Sequence, residues 1–178
     1  MKDVLFFIVL PAVYRRAARQ PIAPGKVLFL ENKESELPES FQVMWSRLSD
    51  MSGLVLEFVS LGETRVRGYQ YYRSCIAFAK NIATAQYVFL NDASNVVSCL
   101  PLRPETKSRA VVATGAVHSR SGGMSTADLI FGGSREEILR HPFYENLSLV
   151  TVSSPEVVWA YEEAMVLQSE PGSFSRLE

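Results

Sequence analysis

Short apolar runs rich in β-branched and aromatic residues alternate along this chain with segments whose apolar residues recur every three or four positions. KVLFL (26–30) follows the Pro24-Gly25 breaker and reads as a buried strand. PESFQVMWSRLSDM (38–51) sets Phe41, Met44, Trp45 and Leu48 on one helical stripe started by Pro38, a pattern that belongs to a core rather than to a cofactor site. LVLEFVS (54–60) reads as a second strand, RVRGYQYYRSCIAFAKNIATA (65–85) as a long helix, and QYVFLND (86–92) as a third strand. Further on, ADLIFGGS (127–134) reads as a fourth strand whose SREE continuation forms a capping box for the short helix REEILRHPF. LSLVTVSS (147–154) reads as a fifth strand, and SPEVVWAYEEAMV as a helix capped by Ser154 with Pro155 in its first position. Strand and helix in repeated succession predict an α/β fold, a mostly parallel sheet with helices on both faces.

The length of 178 residues suits one such domain, since burial on folding approaches roughly 70% of the chain surface at this size. Charge narrows the partners. A formal net charge of -1 supplies no clustered cations for phosphate backbones, so nucleic acid is not an expected partner. Cys75 and Cys99 lie in the apolar stretches SCIAFA and VVSCLP without CxxC spacing, which predicts reduced, structural thiols, a cytoplasmic setting and no metal site.

A parallel sheet binds ligands outside the C-terminal ends of its strands. The residues expected there are Asn91 and Asp92, Gly132, Gly133 and Ser134, and Ser153 with Ser154. Small polar residues before helix N-termini can hold an anion through backbone N–H groups, or simply cap the helices. A receiver-like signalling domain fits poorly, because Glu31-Asn32 does not supply the paired acidic residues expected after its first strand.

The N-terminal segment, MKDVLFFIVLPAVYRRAARQP, admits two readings. Its apolar run from Val4 to Val13 is about half of the roughly 20 residues that span a bilayer, and Pro11 interrupts it. Residues 1–22 form either an interfacial helix on an anionic membrane surface, through Phe6, Phe7, Ile8 and Leu10 followed by Arg15, Arg16 and Arg19, or a first helix packed on the domain's own core. Residues 23–168 make up the α/β domain and residues 169–178 an irregular tail.

The ordered set ATAQYVFLND (83–92), a segment ending in RPETK, GMSTADLIFGGSREE and LVTVSSPEVVWAYEEAM resembles the CDP-glycerol glycerophosphotransferase family, the teichoic-acid polymerases and primases of Gram-positive envelopes. The resemblance runs from about Lys26 to Met165. It implies the N-terminal, acceptor-side Rossmann-like domain of a GT-B architecture. It also implies transfer of glycerol phosphate from CDP-glycerol to a lipid-linked acceptor at the cytoplasmic face of the cell membrane, with no carrier cofactor. Such chemistry needs a base near the attacking hydroxyl and cations to offset phosphoryl charge.

Two departures qualify what the resemblance implies. After Met165 the chain reads VLQSEPGSFSRLE, so no CDP-glycerol-binding domain is expected within it. Where the family carries a motif like VVQLWHACGAFKKFG, this chain has SRAVVATGAVHSRSGG, without the Trp or the Lys pair, and His118 stands in another context. His118 therefore does not inherit the family histidine's role, although it is the nearest histidine to that place. Codons for Ser108 to Ala113 such as AGT CGT GCA GTT GTG GCA, read one nucleotide later, spell Val-Val-Gln-Leu-Trp. Codons for Ala116 to Ser121 such as GCG GTG CAT TCA AGA AGT, read two nucleotides later, spell Gly-Ala-Phe-Lys-Lys. Residues 108–122 are accordingly expected to be an out-of-frame translation of the catalytic loop. A phosphate-binding glycine loop is the competing reading, but GAVHSRSGG follows neither P-loop nor GxGxxG spacing.

Overall fold

The computed structural model describes residues 2–32, 34–61, 68–91, 94–111, 136, 140 and 145–151. Five strands, β1 (Lys26–Glu31), β2 (Val55–Ser60), β3 (Tyr87–Leu90), β4 (Lys107–Val111) and β5 (Leu149–Thr151), form one sheet in the order β2-β1-β3-β4-β5. Every neighbouring pair is parallel, with Val27 opposite both Leu56 and Tyr87. The expected strands at 26–30, 54–60, 86–90 and 148–152 thus lie in one parallel sheet with their ends shifted by a residue or so. The strand expected at 127–131 lies outside the described residues, and 107–111, for which no strand was expected, fills the place between β3 and β5.

Two cores flank the sheet because alternate side chains point to opposite faces. Val27 and Phe29 of β1 project onto α3 (Glu39–Ser49), where Phe41, Met44, Trp45 and Leu48 meet them as the helical stripe predicts. The Phe29 ring stands edge-on to Phe41 at 5.0 Å and stacks on Phe89 at 5.2 Å. On the opposite face Leu28, Leu30, Val88 and Leu90 pack against α4 (Tyr69–Ile82), α5 (Asn95–Ser98) and the N-terminal helical segment.

That segment runs through α1 (Lys2–Val4), a π turn (Leu5–Val9) and α2 (Leu10–Ala17). Pro11 offers no N–H, and its ring would press on the carbonyl of Phe7 in a regular helix. The widened turn, in which the Leu10 N–H reaches the Leu5 carbonyl, absorbs this. The extra residue brings Leu5 and Phe6 inward together with Leu10 and Tyr14, all buried. Phe6 and Leu10 are therefore core side chains, not membrane contacts; only part of the apolar run remains at the surface. Arg103 ties the segment down: its guanidinium donates to the carbonyls of Ala18 and Gln20, both at 3.0 Å, and to that of Ala83, satisfying the last carbonyls of α2 and α4. The backbone N–H of Arg103 also donates to the Tyr14 hydroxyl at 3.1 Å.

The turns leading into β1 and β2 touch closely. Gly25 has φ +74°, its N–H donates to Gln86 Oε1 at 2.7 Å, and a Cβ there would run into the Gly53 carbonyl oxygen. Only glycine meets both conditions.

Candidate functional site

With strand order β2-β1-β3, the crossover from β1 to β2 carrying α3 and the crossover from β2 back to β3 carrying α4 run on opposite faces of the sheet, so the chain's winding reverses between β1 and β3. The crevice outside the C-terminal ends of these two strands is where an open parallel sheet binds ligands. The same alternation that buries Phe29 and Phe89 on the α3 face sends Glu31 and Asn91 to that face, at the mouth of the crevice. There Asn91 Nδ2 donates to Glu31 Oε2 at 2.7 Å, and Ser40 in the first turn of α3 donates its hydroxyl to Asn91 Oδ1 at 2.6 Å.

Glu31 is only 1% exposed. Burying a carboxyl is tolerable only when hydrogen bonds replace those it made to water, which the Asn91 amide does in part. Both hydrogen bonds also fix the orientation of that amide, since nitrogen must face the carboxyl and oxygen the hydroxyl. Backbone bonds hold the frame: the Asn91 N–H reaches the Leu30 carbonyl at 3.3 Å and the Leu61 N–H the Glu31 carbonyl at 2.9 Å. The Ser60 hydroxyl, at the end of β2, donates to the Glu34 carbonyl and pins the segment leading toward α3 beside the crevice. The arrangement sets an oriented amide beside the N-terminal turn of a helix at the C-terminal ends of β1 and β3, with the Glu31 carboxyl buried next to it. Among the described residues no three His, Cys, Asp or Glu side chains are grouped as cation ligands.

Of the residues expected at this edge, Asn91 stands at the C-terminal end of β3 beside Glu31, whereas Asp92, Gly133, Ser134 and Ser153, with His118, lie outside the described residues. Glu31 and Ser40 were not expected in a site. Extending the period-2 pattern of KVLFL by one residue would have placed Glu31 on the Phe29 face. Nothing local points to Ser40.

The thiols sit elsewhere, among α4 and α5. Burial pushes Cys75 up, with a counteracting hydrogen bond from Tyr71, and burial pushes Cys99 up to about 12. Both cysteines are free. At the N-terminus Arg15, Arg16, Arg19 and half of the Phe7 side chain are exposed, while Phe6 is 3% exposed. Among the described residues no helix is long and apolar enough to cross a membrane.

No known protein-family model matches the chain. No curated protein matches it either.

Proposed function

We propose that the chain is the acceptor-side domain of a CDP-glycerol glycerophosphotransferase whose catalytic loop has been replaced by an out-of-frame translation, so that it does not transfer glycerol phosphate by itself. The observation that carries this reading is the ordered resemblance from Lys26 to Met165, within which the dissimilar residues 108–122 admit codons that spell two pieces of the family motif in shifted frames. The parallel sheet with Asn91 at its ligand edge supports it, because the acceptor side of a GT-B enzyme is a Rossmann-like domain that presents its strand ends to the cleft. The replacement removes the general base and the paired lysines. Losing an acid–base group alone costs roughly 10² to 10⁴ in rate, and losing the cations adds to it. A lipid-linked acceptor would place the domain at the inner face of the cell membrane.

The experiment is the nucleotide sequence of the locus together with a transfer assay. Codons of residues 108–122 that cannot spell Val-Val-Gln-Leu-Trp and Gly-Ala-Phe-Lys-Lys in the shifted frames end the reading. Transfer from CDP-glycerol by this chain that disappears in His118→Ala ends it too.

A second reading, a non-catalytic domain that binds a nucleotide or an anionic ligand, is favoured by the oriented amide and helix N-terminal turn at the crevice. Calorimetric titration with CMP separates the two: heat of binding that is lost in Asn91→Ala supports the binding module.

A further inference from the structure

The two readings of the N-terminal segment are not exclusive, because opposite faces of one helix serve them. Leu5, Phe6, Leu10 and Tyr14 face the core, and the outward residues Val4, Phe7, Ile8, Ala12, Arg15, Arg16 and Arg19 recur at the three- and four-residue spacing of a single stripe. Its first half is apolar: Val4 is 53% exposed, Phe7 50% and Ile8 63%. The other large apolar side chains exposed among the described residues are scattered: Val43 in α3, Met51 in the bend after it, Val55 in β2 and Tyr69 in α4. The second half of the stripe is a trio of exposed arginines, with Arg15 about 10 Å along the axis from Ile8.

From this stripe we propose that the outward face of residues 4–19 docks on an anionic membrane surface, Phe7 and Ile8 entering the headgroup–acyl boundary while Arg15, Arg16 and Arg19 meet lipid phosphates. Charge selects this occupant. A protein groove would have to cover three arginines beside three apolar side chains, whereas an anionic bilayer offers hydrocarbon and negative charge within a few ångströms of each other. The inward face needs no rearrangement, since Arg103 already clamps the end of α2 to the domain. The wide turn at Leu5–Val9 sets the phase, so that Phe7 and Ile8 point outward while Phe6 and Leu10 stay in the core. Asn95 and Ser98 of α5, which follows β3, line a small hollow with Phe6 and Phe7.

The proposal does not rest on glycerol-phosphate transfer, and its test uses no CDP-glycerol, so the two readings fail separately. The full chain is co-sedimented with vesicles of equimolar phosphatidylglycerol and phosphatidylcholine and with vesicles of phosphatidylcholine alone. Binding is expected to the anionic vesicles and to weaken between about 0.1 M and 1 M salt, as the Debye length falls from about 10 to about 3 Å. R15Q/R16Q/R19Q should weaken it roughly hundredfold, about fivefold for each arginine. F7S/I8S should weaken it at low salt as well, with the far-UV circular dichroism of both variants unchanged because all five side chains are exposed. A tryptophan placed at the surface by Phe7→Trp should shift its emission to the blue on anionic vesicles. Absence of binding by the parent chain, equal binding by either multiple variant, or an unshifted Phe7→Trp emission overturns the proposal.

Discussion

Replacing Asn91 by alanine removes one donor from the Glu31 carboxyl and the acceptor of the Ser40 hydroxyl. The two losses are unequal. Ser40 is only partly buried and its hydroxyl can turn to water, whereas Glu31 at 1% exposure has little access to a replacement. Losing a buried hydrogen bond costs about 1–3 kcal/mol, so Asn91→Ala should destabilise the fold by about 2 kcal/mol, most of it from the bond to Glu31. Urea unfolding followed by far-UV circular dichroism reads this directly: with an m-value of roughly 2 kcal/mol/M the midpoint moves down by about 1 M. The mechanism is tested by repeating the substitution in a Glu31→Leu background, where no carboxyl remains to accept from the amide. There Asn91→Ala should cost less than about 0.5 kcal/mol, leaving a coupling of about 1.5 kcal/mol between the two positions. An Asn91→Ala chain as stable as its parent would refute the account, and so would an equal loss in both backgrounds.

Two further outcomes follow from the geometry. Gly25→Ala should cost more than about 2 kcal/mol, since it adds collision with the Gly53 carbonyl to a φ of +74°; Gly53→Ala, with φ +85° and open space, should cost only the roughly 1–2 kcal/mol of the left-handed conformation, and equal midpoints in urea would show the collision to be relieved elsewhere. Burial raises the Cys99 thiol from its ordinary 9.0 to about 12, so its neutral form is the one the fold favours: the associated stability is full below about pH 9 and is lost as pH rises toward 12. At pH 8 Cys99 should alkylate far more slowly than in urea-unfolded chain, and mass-spectrometric labelling at equal rates would contradict the burial.

The elements of the first half were legible because their cause is local. A strand with both faces covered must be apolar throughout, as KVLFL is, and a helix on a sheet must repeat its apolar residues every three or four positions, as Phe41, Met44, Trp45 and Leu48 do. β4 was not legible: Lys107, Ser108 and Arg109 carry no strand pattern, and their place follows from pairing with Tyr87, Val88 and Phe89 of β3. The same distinction runs through the site. Asn91 could be placed at a strand end from its own neighbourhood, but Glu31 lies 60 positions away and Ser40 51. Their meeting depends on β1 and β3 being adjacent and on α3 covering the face to which both strands turn their odd-numbered residues. In the N-terminal helix, too, the sequence contained both an apolar run and a basic cluster without assigning either a direction. Packing on α4 and the widened turn ahead of Pro11 decided that Phe6 goes inward and Phe7 outward. Sequence determines the periodicity of each element because neighbours along the chain share one backbone geometry. Which faces and ends then meet is a property of the assembled sheet, since only burial against distant segments distinguishes one side of an element from the other.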